Sequence, residues 1–165
     1  MRIRVSIRGE EALRGLSLFF LRKVIRETLS QSFPHVFRSE RTVVLDVACV
    51  SDEEIAKLNG DYRKKAKPTD ILSFGVFEGL EAIVTVPKTG PIDLGQIVLS
   101  PAFIARSAAA DGVSWKREFT YVFSHGVLHL VGFDHEERMF QIQDAVTDRL
   151  APIGEEKAKK YKYHA

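Results

Sequence analysis

The sequence predicts an α+β fold, a small mixed four-stranded β-sheet packed with about five helices, with a three-histidine metal site at the end of one helix. Three observations predict it. Short apolar runs of strand length are interspersed with longer stretches of helical periodicity. Their order is strand, helix, strand, helix, strand, strand, then helices. The segment HGVLHLVGFDH, residues 125 to 135, gathers three of the chain's five histidines at the close of a helical stretch.

The first strand falls at IRVSI, residues 3 to 7, where apolar positions alternate. A helix follows over about residues 10 to 32, with Leu13, Leu16, Phe20, Val24 and Leu29 on its apolar side and Pro34 beyond its end. The second strand is TVVLDVACV, residues 42 to 50, and its near-continuous apolarity predicts burial on both faces. Cys49 within it reads as a small buried strand residue. In SDEE, Ser51 can cap a helix and Glu54 can return the hydrogen bond, which predicts a capping box and a helix over about residues 52 to 61. After Pro68, ILSFGVF is the third strand. Residues 78 to 93, broken by glycine and proline, read as a long, mobile hairpin connection with room for a short extra strand. GQIVLS, residues 95 to 100, is the fourth strand. Ser100 followed by Pro101 opens a helix over about residues 101 to 110, stopped near Gly112. Ser114 opens the next, about 115 to 131, with Gly132 as a left-handed stop. The last helix spans about 136 to 150, ahead of Pro152, and residues 155 to 165 read as a frayed charged tail. The first strand-helix-strand unit is expected to be a right-handed parallel crossover.

Length and composition agree with this plan. A chain of 165 residues, 45% hydrophobic and 28% charged, fits a single domain spanning 1 to 165. No apolar run reaches membrane-span length, and the N-terminal stretch has no signal-peptide core, so the expected location is cytoplasmic. Net charge is only +2, but it is uneven. Residues 1 to 41 carry nine Lys/Arg against four Asp/Glu, and residues 57 to 67, KLNGDYRKKAK, carry five against one. Such clusters could track a polyanion backbone, but on charge alone a solvated face is the preferred reading.

The histidine spacing is H-x-x-x-H-x-x-G-x-x-H. His125 and His129 stand four residues apart, so a helix sets both on one face, roughly 6 Å apart. Gly132 lets the chain leave the helix and return His135 as a third ligand. Three imidazoles leave a fourth coordination position open, as in a catalytic rather than a structural zinc site. Nickel, copper and iron also suit imidazole. The pattern matches the zinc-binding stretch of a class of metalloproteases except at Gly126, where those enzymes carry the glutamate that activates water. Peptide hydrolysis is therefore disfavoured, while a metal can still bring the pKa of water to about 7. A phosphodiester substrate would need a cation for its developing charge, and Arg63, Lys64, Lys65 and Lys67 lie in the basic stretch DYRKKAKPTD. Asp134 reads as an imidazole partner or as a cap for the last helix, and Glu136 and Glu137 as dipole-favoured helix openers. His35 and His164 have no partners at ligand spacing.

LNGDYRKKAKPTDILSF (58 to 74), LGQIVLS (94 to 100) and SHGVLHLVGFDH (124 to 135) resemble, in order and spacing, three blocks of the YbeY family of bacterial endoribonucleases. The resemblance implies an α+β fold, one zinc ion per chain on His125, His129 and His135, and metal-dependent cleavage of single-stranded RNA. It implies a place in ribosomal RNA maturation, at the 3′ end of the small-subunit RNA, and in ribosome quality control. Partners would be RNA and the small ribosomal subunit, with neither DNA nor membrane. Arg63 matches the family's functional arginine, which would hold phosphate or stabilise the transition state. Asn59, Thr69, Asp70 and Ser73 match frequent positions that could simply shape the loop and strand. Gln96 stands where an acid is common, and Gly75 where a proline is. Two alternatives remain open at this stage: a zinc metallohydrolase acting on another substrate, and a ribosome-associated RNA-binding factor with structural zinc.

Overall fold

The computed structural model describes residues 1–37 and 40–153. Four strands, β1 (Arg2–Arg8), β2 (Thr42–Cys49), β3 (Ile71–Gly75) and β4 (Pro91–Leu99), form one sheet in the order β1-β2-β4-β3. β1 and β4 run parallel to β2, and β3 runs antiparallel to β4 at the other edge. Six α-helices stand among the described residues: α1 (Leu18–Ser32), α2 (Asp52–Arg63), α3 (Leu80–Val84), α4 (Pro101–Asp111), α5 (Trp115–Leu130) and α6 (Glu137–Leu150).

Strand alternation divides the core in two. Val47, Ile71 and Ile97 face the main cluster, which takes in Leu21 and Ile25 of α1, Phe119, Phe123 and Val127 of α5, and Met139 and Val146 of α6. Their neighbours Ala48, Leu72 and Val98 face the opposite way and meet Ile55 of α2 in a small separate cluster. α5 is the hub: it packs on α1, α4, α6 and β3, with Phe119 and Phe123 stacked at 5.3 Å between ring centroids. A helix buried on most of its circumference holds its side chains in fixed rotamers, which gives its end a defined position.

Several boundaries fall as the caps foretold. Ser51 and Glu54 form the reciprocal capping box, Ser100 caps α4 ahead of Pro101, and Ser114 caps α5. The expected helix over 10 to 32 is corrected. A 3-10 turn at Glu10–Leu13 is separated from α1 by Arg14 (φ 51°) and Gly15 (φ 85°), and Ser17 caps α1 afresh. Left-handed backbone cannot continue a right-handed helix, and the apolar side chains on both sides hid that break. The expected double burial of β2 is also corrected: α2 covers its outer face only near Ala48, and Asp46 stands exposed. In the 78-to-93 connection, the added element is the short helix α3 rather than a strand.

β4 begins at Pro91, earlier than expected, and its register on β2 shifts between Val44 and Asp46. Opposite the shift, Gly95 has φ 99°, and a Cβ there would overlap the Phe74 carbonyl. This bulge interrupts the alternation that would have revealed the first half of the strand. Cys49 is partly buried, and burial, with a smaller effect from the Glu11 charge, pushes its thiol up to about 11, so it is an inert thiol.

Candidate metal centre

The end of α5 creates the site. Gly132 takes φ 92°, and two hydrogen bonds close the turn, Gly132 N–H to His129 O (3.0 Å) and Phe133 N–H to Leu128 O (3.1 Å). This is the paired bonding of a glycine-stopped helix. A Cβ at Gly132 would overlap the Gly79 backbone, so the residue is required both for its conformation and for its packing on the β3–α3 connection. The turn carries the Phe133 carbonyl back to 2.9 Å from His129 Nδ1. Two residues later it brings His135 to the helix.

The three predicted ligands converge. One ring nitrogen from each of His125, His129 and His135 lies within 4.8 Å of the others. The Nε2 atoms of His125 and His129 are 3.0 Å apart. Tetrahedral zinc with bonds of about 2.0–2.1 Å needs its nitrogens about 3.3 Å apart. The pair is therefore close to metal-binding geometry as it stands. Each of these two rings is held through its other nitrogen, His129 Nδ1 by the Phe133 carbonyl and His125 Nδ1 by Gln143 Oε1 at 3.1 Å. A carbonyl acceptor at Nδ1 fixes the proton there and leaves the Nε2 lone pair free for a cation.

The electrostatics favour the same state. Burial lowers the proton affinity of His125, helped by the charges of His135 and Arg63 and opposed by the Gln143 hydrogen bond and by Asp70. Burial likewise lowers that of His129, followed by the charge of His125, with the Phe133 hydrogen bond opposing and His135 and Arg63 adding to it. Both rings are thus neutral at neutral pH, as ligands must be. His135 is exposed, and its Nδ1 lies 3.4 Å from the Asp134 carboxylate. Asp134 does not cap α6, whose N-cap is Glu136; it accepts the His135 backbone N–H at 2.8 Å.

Gly126 has a packing role. A Cβ there would overlap Ile71 Cδ1 and sit 3.1 Å from Ser73 Oγ and 3.3 Å from Ile97 Cδ1. This position faces the sheet, where the Ser73 hydroxyl donates to the Gly126 carbonyl at 3.2 Å. The helix approaches β3 and β4 closely because the residue between the first two histidines has no side chain.

The basic stretch divides. Arg63 is the last residue of α2, and its charge is the smallest of the influences that lower the proton affinity of the half-buried His125 and His129. Lys64, Lys65 and Lys67 are exposed on the following loop and make no contact with the histidines. Asn59 fastens that loop: its Nδ2 donates to the Lys67 carbonyl at 2.9 Å, and its own carbonyl accepts from Lys65 N–H. Thr69 and the Ile71 N–H both donate to the Asp70 carboxylate. Asn59, Thr69, Asp70 and Ser73 thus all make contacts that shape the loop, the strand or the helix contact. Gly75 lets β3 pass Leu130, whose backbone would meet an added Cβ at 3.3 Å. A cavity of about 610 Å³ lies elsewhere, between Val36, Glu40 and Arg41 on one side and Val86, Pro87 and Lys88 on the other, and none of the three site histidines lines it.

Gln143 is the residue that sequence reasoning missed. Its signal was available: the buried positions of α6 are Met139, Ile142, Gln143, Val146, Thr147 and Leu150, and an amide in that apolar register requires a partner.

Comparison with known proteins agrees with the geometry. A family model described as Endoribonuclease YbeY matches residues 9–151. A protein named Endoribonuclease YbeY from Halalkalibacterium halodurans is 40% identical over 130 residues, covering 74% of this chain and 82% of its own. One of the same name from Mycoplasmopsis synoviae is 35% identical over 134 residues, covering 81% and 83%. A solution structure of a protein from Thermotoga maritima aligns over 99% of this chain and 96% of its own, with a TM-score of 0.55 at 23% identity, a likeness of fold.

Proposed function

The chain belongs to the endoribonuclease YbeY family, and from that premise we propose that it is a metal-dependent endoribonuclease that hydrolyses single-stranded RNA at the histidine cluster. The observation that carries this reading is the convergence of three imidazole nitrogens within 4.8 Å, two of them held neutral and inward, with the Arg63 charge contributing to that state. His125, His129 and His135 are the metal ligands, and zinc is the preferred ion because an open three-imidazole site suits it. Bound there, the metal supplies Lewis acidity to a phosphoryl oxygen and to water.

The chain's own groups do the rest. Gln143 and the Phe133 carbonyl orient the two helical imidazoles. The Ser73–Gly126 contact fixes their helix to β3. Arg63 offers a forked guanidinium to the phosphate at the cluster and opposes the negative charge that builds on its oxygens. Lys64, Lys65 and Lys67 follow the strand's backbone outside the site. The substrate is ribosomal RNA, including the 3′ end of the small-subunit RNA. The chain acts in the cytoplasm with the small ribosomal subunit, in RNA maturation and ribosome quality control. No helix among the described residues is long and apolar enough to cross a membrane.

The test is cleavage of end-labelled single-stranded ribosomal RNA by wild type, His129→Ala and Arg63→Ala, with chelator-treated wild type and zinc re-addition alongside. Cleavage is expected in wild type, lost with chelator and in His129→Ala, restored to the treated wild type by zinc, and cut by about 100-fold or more in Arg63→Ala. Equal cleavage in every lane would sink the assignment. RNA binding that Arg63→Ala abolishes, with no cleavage by metal-loaded wild type, would instead mark a binding factor.

A further inference from the structure

α2 carries Ile55, Leu58 and Tyr62 at helical spacing, one apolar stripe. Ile55 is fully buried and Leu58 partly so, both against the small outer cluster. By Tyr62 the stripe has run past the sheet, and that residue is 67% exposed. Its ring meets one neighbour, Phe74, at 4.8 Å between centroids and 64° between planes. Phe74 sits on β3, an edge strand, and faces away from Ser73, whose hydroxyl holds the histidine helix. Val76, two residues on, is 59% exposed. An apolar strip of exposed Tyr62, half-buried Phe74 and exposed Val76 thus lies on the outer side of the strand whose inner side supports the histidine cluster.

The rim of this strip is cationic. Arg63, Lys64, Lys65 and Lys67 are all exposed beside it, and among the described residues none of them pairs with a carboxylate. Tyr62 and Arg63 are consecutive on the helix, so their side chains diverge by about 100°. Tyr62 turns toward the strip, and the Arg63 charge is felt at both helical imidazoles. An open aromatic ring flanked by cations is what a single strand of nucleic acid takes, phosphates on the charges and an unpaired base on the ring. A duplex keeps its bases stacked inside and cannot offer one.

We propose that Tyr62, braced edge-on by Phe74, is a stacking platform for an unpaired base flanking the scissile phosphate, and that this contact selects single-stranded over paired RNA. The inference rests on the ribonuclease reading above and names the part of the substrate bound beside the same site. Stacking is tolerant of base identity, so it supplies affinity and strand selectivity rather than sequence choice. Its effect belongs in substrate binding, while Arg63 and the histidines act on the phosphate.

The experiment compares wild type, Tyr62→Ala, Tyr62→Phe and Tyr62→Trp on one single-stranded oligoribonucleotide. The same oligomer is also made with a single abasic site at each position flanking the mapped cut. Tyr62→Ala is expected to raise KM about 10-fold with kcat nearly unchanged, and the Phe and Trp variants to behave as wild type. One abasic position should raise the wild-type KM equally and leave Tyr62→Ala unaffected. An unchanged KM, a loss confined to kcat, or equal abasic penalties in wild type and Tyr62→Ala would overturn the proposal. So would a change in oligomeric state on Tyr62→Ala, which would make the strip a contact between copies. The variant's melting temperature guards against misfolding. Should metal-loaded wild type cleave nothing, the ribonuclease reading fails on its own, and 2-aminopurine oligomers still decide. Fluorescence quenched on binding to wild type but not to Tyr62→Ala supports the platform, and equal fluorescence removes it.

Discussion

At position 126, between two metal-ligand candidates, a side chain has nowhere to go. The Cβ direction runs into Ile71 and Ile97 of the sheet, so the glutamate that a metalloprotease would place here has no path to the metal. Gly126→Glu is expected to lose more than about 3 kcal/mol of stability, from overpacking and a buried charge, and to gain no peptidase activity. Urea melts and a casein assay check both halves. Gln143 makes the opposite point, since its substitution should spare the fold and damage the site. Gln143→Leu keeps similar volume in the core but leaves His125 Nδ1 without its acceptor. Zinc affinity in a competing chelator buffer should fall about 10- to 100-fold while the melting curve of the metal-free protein changes little. The three histidines were legible because i, i+4 spacing and a glycine stop have a single geometric meaning. Gln143 was harder to find because its partner is 18 positions away in the chain, across two helices.

Elements show where pattern reading succeeds and why it stops. Caps are local chemistry, and those at Ser51, Ser100 and Ser114 set their helices as the sequence implied. Breaks that depend on backbone conformation alone, at Arg14–Gly15 and at Gly95, left an apolar pattern that pointed elsewhere. One junction between elements was invisible for another reason, because it joins distant caps. Ser100, while capping α4, donates its hydroxyl to Asp52 Oδ1 at 2.6 Å, and Arg106 pairs with the other oxygen at 2.7 Å. The Ser100 hydrogen bond, with Arg106 assisting against some desolvation, lowers the Asp52 pKa below 3.8. A carboxylate lowered on folding stabilises above its ordinary pKa and stops doing so as pH falls through the lowered value. Asp52→Asn is therefore expected to melt earlier than wild type at pH 7, with the gap narrowing below about pH 4 and closing in stronger acid. Thermal melts across that range check it.

For the whole molecule, charge and topology act together. The sheet order sets β3 at an edge, with the histidine helix behind it and the cationic end of α2 beside it. A single strand crossing that edge meets up to four exposed cations, Arg63, Lys64, Lys65 and Lys67. Each phosphate neutralised contributes about −0.7 to the slope of log affinity against log salt. Replacing Lys64, Lys65 and Lys67 together by glutamine should therefore flatten that slope by about 2, measured by anisotropy with a labelled oligomer. A slope equal to wild type would remove the loop from the binding path. The bond from Gln143 to His125 also has a meaning in time. Ribosomes deliver about 5–20 residues per second, N-terminus first. His125 is therefore made about one to four seconds before the amide that steadies it. Full orientation of the helical pair therefore waits on α6, the helix that follows it in the chain.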